Sequence, residues 1–152
     1  MTSERLCHLI NELIATCKDG EQGFLACAER LQAPELRTLF ITRAQECERF
    51  AGDLQLLVED QGGQPETTGT PAGALHRRWI GMRALLTEHP DLAMLEECER
   101  GLDAAVKRYR QALDRDDLPA PVRQLIEHEL AGTLSNHELV KGLRDRRTHA
   151  TA

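Results

Sequence analysis

The sequence predicts an all-α fold, a four-helix bundle of two antiparallel hairpins joined by a long crossover that carries a short extra helix. Three observations lead there. Aromatic residues make up only 3% of the chain, too few for a β-sandwich core or a base-stacking surface. Apolar residues recur in alternating steps of four and three over long stretches, the repeat of an amphipathic helix. Residues 61–71 form the one clear linker rich in breakers. At 152 residues the chain has material for one substantial core. We expect a single domain over 1–147 and a frayed tail over 148–152.

Each element follows from its spacing. Leu6, Ile10, Leu13, Cys17, Gly20, Phe24, Cys27 and Leu31 define a first long helix over about 4–31. Pro34 suits the first turn of a second helix, since no N–H is needed there and its φ is already helical. Leu36, Phe40, Arg43, Cys47, Phe50, Leu54 and Leu57 continue that helix over 34–61, until Gly62-Gly63 stop it. Thr70-Pro71 reads as an N-cap with proline at N1, opening a crossover helix over about 71–88 within the connection 62–90. Its apolar face is Leu75, Trp79, Met82 and Leu86, which predicts that Trp79 anchors it to the bundle. A third long helix, 91–114, carries Leu92, Leu95, Glu99, Leu102, Val106, Tyr109 and Leu113 in phase. The turn Leu118-Pro119-Ala120-Pro121 precedes a last helix over 121–145, with Val122, Leu125, Ile126, Leu130, Leu134, Val140 and Leu143.

Tight turns make each hairpin antiparallel, whereas the long middle connection can travel the length of the bundle. That is ferritin-like connectivity; a plain up-down-up-down bundle needs only a short middle loop. A faint internal repeat supports the pairing: Cys17-Lys18-Asp19-Gly20 and Cys98-Glu99-Arg100-Gly101 share C-x-x-G on the first helix of each hairpin. A mid-helix glycine costs about 1 kcal/mol relative to alanine unless close approach compensates.

The stretches Leu9-Ile10-Asn11-Glu12-Leu13-Ile14, Cys17-Lys18-Asp19-Gly20-Glu21-Gln22-Gly23-Phe24, Ala72-Gly73-Ala74-Leu75-His76-Arg77-Arg78-Trp79 and Glu97-Cys98-Glu99-Arg100-Gly101 together resemble an uncharacterised bacterial family of ferritin-like four-helix-bundle proteins, classed as a domain of unknown function. The similarity spans roughly residues 4–145. It implies a ferritin-like or rubrerythrin-like bundle and brings no established activity.

Charge and cysteine usage narrow the partners. With 19 basic against 25 acidic residues, the net charge is −6, unfavourable for nucleic acid or an anionic membrane surface. No apolar run reaches membrane-spanning length, and the opening Met1-Thr2-Ser3-Glu4-Arg5 lacks a signal-peptide pattern, so a cytoplasmic protein is expected. Five cysteines without a C-x-x-C pair predict reduced thiols that act mainly as small hydrophobes.

Two readings compete for the polar groups on the stripes. In one, Arg43, Glu99 and Glu129 form a buried ion pair or triad that avoids unpaired charge in the core. The bundle is then a non-catalytic binding or structural module without a cofactor, in a homo-oligomer, with His76 and Trp79 on the crossover as an anchor or partner surface. In the other, Glu21, Glu46, Glu99 and His137 hold iron or manganese in a divergent carboxylate oxidase or storage protein. A di-metal bundle of this type uses two Glu-x-x-His pairs, because residues three apart share a helix face. Here Glu46 is followed by Arg49, and His137 is preceded by Leu134, so neither pair is complete. A guanidinium offers no lone pair, and Arg43 at the centre would repel a dication. No phosphate loop, nucleophile elbow or Ser-His-Asp set accompanies these residues.

Overall fold

The computed structural model describes residues 1–151 and contains five helices: α1 (Ser3–Ala28), α2 (Pro34–Asp60), α3 (Pro71–Leu86), α4 (Pro90–Leu113) and α5 (Ala120–Thr151). Each hairpin is closed by local chemistry. Thr2 caps α1 through the Arg5 N–H. The turn to α2 is sealed from across the bundle, where the Asp91 carboxylate accepts the Gln32 and Ala33 N–H groups at 2.6 and 3.1 Å. This turn ends α1 at Ala28, three residues before the apolar stripe ends, although Leu31 is still buried. At the end of α2, Gly62 takes φ 76° and the Gly63 N–H reaches back to the Val58 carbonyl, a Schellman-type stop that favours glycine.

α1 pairs with α2 and α4 with α5, while α3 lies across α1 and α4. The core divides into two apolar halves. One gathers Phe24, Phe40, Ile80, Met94 and Leu95, with Phe24 and Phe40 edge to face at 5.4 Å. The other gathers Ile10, Ile14, Leu54, Tyr109 and Ile126. Between them lies a polar waist. The inward seam of α5 runs Val122, Ile126, Glu129, Thr133, Asn136 and Val140 with four-three spacing, and its middle three members are polar. Reading only apolar residues places the seam of this helix on Leu125, Leu130 and Leu134, which are half-buried beside it.

One expectation needs correction. α5 runs to Thr151, with Arg144 on Glu99 at 2.7 Å and Arg147 3.6 Å from Asp91 joining its last turns to α4. Residue 152, the end of the expected frayed tail, lies outside the described residues. The correction concerns α3. Its predicted apolar stripe faces outward: Leu75 is 68% exposed, Trp79 43%, Met82 55% and Leu86 77%. The inward face is the adjacent one, with Gly73, His76, Arg77, Ile80 and Arg83, of which only Ile80 is fully buried. Polar contacts to α1 and α4 decide that rotation, as described next.

Candidate functional site

The connection to α3 is pinned to α1 by two side chains. Asn11 donates to the Gln64 carbonyl at 3.1 Å and accepts the Glu66 N–H at 2.8 Å. Asp19 accepts the Thr70 N–H at 2.8 Å and its hydroxyl at 2.6 Å, and the Thr70 hydroxyl accepts the Gly73 N–H. A side chain at Gly69 or Gly73 would collide with the Asp19 carboxylate, so glycine is required where the crossover lies against α1.

On α4 the partner is Glu97, a fully buried carboxylate. Arg83 donates to it at 2.5 Å and to Glu96 at 2.7 Å, and His76 Nε2 lies 3.2 Å from it. Burial pushes the Glu97 carboxyl up, but hydrogen bonds from Arg83, His76 and the Trp79 indole N–H, with Arg100 nearby, hold it below its ordinary value. A buried carboxylate needs such donors, and turning His76 and Arg83 inward to supply them turns Leu75 and Leu86 out.

Beneath α3 and between α1 and α4 is a cavity of about 310 Å³. Both C-x-x-G motifs face it: Cys17, Gly20, Cys98 and Gly101 all line the wall, together with Cys27 and Cys47. Three of these thiols, Cys17, Cys47 and Cys98, are held protonated. Burial, then the Glu46, Glu21 and Glu129 carboxylates, pushes Cys47 up to about 12, and burial raises Cys17 and Cys98 well above the usual thiol value. Such thiols act as small apolar groups rather than nucleophiles.

At one end of the cavity Tyr109 donates to Glu129 Oε1 at 2.9 Å, and its hydroxyl lies 3.1 Å from Cys17 Sγ. Glu129 is fully buried, and among the described residues no cation stands at ion-pair distance from it and its Oε2 has no hydrogen-bond partner. Burial, with the Asp53 charge, raises its carboxyl to about 8 against the hydrogen bonds from Tyr109 and Cys17, so it is a neutral acid near pH 7.

The structure therefore does not assemble Arg43, Glu99 and Glu129 into a triad. Arg43 lies 3.5 Å from Glu46 and donates to Asn136 at 3.2 Å, and Asn136 donates to Glu46 at 2.7 Å, closing a triangle between α2 and α5. Glu99 pairs with Arg144 near the end of α5, and Glu129 is kept neutral instead of paired. The four candidate metal ligands are likewise dispersed. Glu21 sits 3.6 Å from Lys18, Glu46 belongs to the Arg43 triangle, and His137 Nε2 stands 2.6 Å from Asp103 at ion-pair distance without hydrogen-bond geometry. Among the described residues, no group of three or more His, Cys, Asp and Glu side chains is arranged to hold a metal ion.

Sequence reasoning missed Asp19, Arg83, Glu97, Tyr109 and Asn136. One signal was available for Asp19, which stands inside the first C-x-x-G motif. Asn136 falls on the α5 seam only when polar residues are counted in the heptad.

Fold and site together define an all-helical, ferritin-like bundle with a crossover helix latched over an internal cavity. The family model described as Domain of unknown function (DUF2383) matches residues 6–115, from α1 to the end of α4, and the chain belongs to that family. The solved structure of a mutant of Dps1 from Mycobacterium smegmatis is similar over 93% of this chain and 96% of that one, with a TM-score of 0.76 at 13% identity. No curated protein matches the chain at a significant level.

Proposed function

We propose that this protein is a non-catalytic binding and structural module that works as a homo-oligomer, assembling through the outward face of α3. The observation that carries the reading is the exposed stripe Leu75, Trp79, Met82, Leu85 and Leu86. At these exposures it amounts to on the order of 700 Å², above the largest apolar patch of most monomers and close to one partner's share of a standard interface. A second copy is the occupant favoured here, because an apolar stripe along one helix is self-complementary about a twofold axis. The five free cysteines suit a reducing compartment such as the cytoplasm.

Light scattering coupled to size exclusion tests this. The wild type should run as a dimer or larger, and Leu75→Glu with Leu86→Glu as a monomer of unchanged helicity. A monomeric wild type at high micromolar concentration contradicts the proposal.

The alternative, an iron or manganese carboxylate protein, draws on one observation: Glu21 and Glu46 both act on the Cys47 thiol and so share one neighbourhood. Glu99 and His137 would have to leave Arg144 and Asp103 to join them. Stoichiometric iron or manganese in chelator-free protein, lost in Glu21→Ala with Glu99→Ala, would establish that alternative.

A further inference from the structure

The cavity under α3 has two chemistries. Its wall is apolar, built from Phe24, Phe50, Leu102, Cys27 and the protonated thiols of Cys47 and Cys98. Gly23 leaves room at this wall, since a Cβ there would meet no atom within 4 Å. Its size falls at the lower end of the range of small-molecule sites. The polar edge, in contrast, is basic within a chain of net charge −6: Arg77, Arg100 and Arg108 against Asp19 and Glu97.

Those two carboxylates are already served. Asp19 accepts two hydrogen bonds from Thr70 and has Arg108 at 3.6 Å; Glu97 has Arg83 at 2.5 Å and His76 at 3.2 Å. One hydrogen bond is left unmet at this edge. Arg77 Nη1 is a buried atom without a hydrogen-bond acceptor, 3.9 Å from an Asp19 carboxylate already shared with Thr70 and Arg108. Arg100, 3.6 Å from Glu97, has its side chain 65% exposed where the cavity meets solvent. A buried guanidinium N–H without an acceptor is rare in folded proteins, and the oxygen that best fits a guanidinium fork is a carboxylate. The thiols and phenyl rings of the wall cannot supply it.

We propose that this cavity binds a medium-chain monocarboxylate, its alkyl tail among Phe24, Phe50 and Leu102 and its carboxylate on Arg77, with Arg100 at the mouth. An apolar wall supplies the affinity, and the unmet Arg77 N–H selects the head group. Wall and cation belong to the interior, so this proposal stands apart from assembly through the outer face of α3.

Calorimetric titration of the full chain with decanoate, 1-decanol and decylamine tests it. Decanoate should bind once per chain, at least tenfold more tightly than the alcohol or the amine. Arg77→Gln should bring decanoate down to the level of decanol without lowering the melting temperature. Gly23→Leu should abolish binding; a Cβ at this position meets no atom within 4 Å, so the new side chain has space to enter and fill the cavity. Absence of decanoate binding, equal affinity for decanoate and decylamine, or undiminished binding in either variant overturns the assignment. If Gly23→Leu fails to fold, Arg77→Gln and the three-ligand comparison still decide the question.

Discussion

Glu129 and Glu97 show how two buried carboxyl groups on facing helices reach opposite protonation states. Glu97 is surrounded by Arg83, His76 and the Trp79 indole and stays ionised, whereas Glu129 has only Tyr109 and Cys17 and keeps its proton. The signs of their linkage to folding are therefore opposite. The Glu129 carboxyl is raised from 4.5 to about 8, so its contribution is complete below pH 4.5 and is lost as pH rises through about 8. Glu129→Gln keeps the shape and the acceptor for Tyr109 but removes the titration. Chemical denaturation should find the variant gaining on the wild type by about 3 kcal/mol between pH 5 and pH 8; a constant difference would contradict a neutral Glu129. The Glu97 carboxyl is lowered, so its contribution is present above the ordinary glutamate value and fades as pH falls below it. Arg83→Met leaves that carboxylate with His76, the Trp79 indole and the more distant Arg100, and should cost about 2–4 kcal/mol at pH 7, with much of the loss restored by Arg83→Lys. Neither partner choice was legible in the sequence. Stripe positions identified Glu129 as inward-facing, but which cation meets which carboxylate depends on helix rotations of a few tens of degrees that periodicity does not define.

At the scale of elements, the long helices were readable because proline, glycine and apolar spacing agree at nearly every boundary. Pro34, Pro71 and the Gly62-Gly63 stop stand where the structure uses them. The ferritin-like connectivity followed from the length of the middle connection alone. The rotation of α3 was not readable, because the rule that apolar stripes face inward gives way when a buried carboxylate and two glycines dictate the contact. The same competition predicts how α3 is released. Asp19→Ala removes the acceptor for Thr70 and so unties the capped first turn of α3 from α1. We expect a loss of about 1–3 kcal/mol, together with faster amide exchange over residues 64–80 and unchanged exchange in α2 and α5. Uniform acceleration across all helices would show that the crossover is not an independently releasable element.

For the molecule as a whole, two apolar core halves flank a polar waist, and α3 closes that waist while presenting its own apolar stripe to the outside. The arrangement underlies both halves of the functional reading: an interior space with an apolar wall, and an outer face with five exposed apolar side chains. Trp79 is the only tryptophan in the chain and stands at the edge of that outer face, its indole N–H toward Glu97 and its side chain 43% exposed in the single subunit. Its emission maximum, followed across a dilution series from high micromolar to low nanomolar protein, is therefore the most direct test of the outward-facing stripe. A shift to longer wavelength on dilution, absent in Leu75→Glu with Leu86→Glu, is the predicted result. A short-wavelength maximum that neither dilution nor the double substitution moves would place Trp79 inside the bundle and contradict the account.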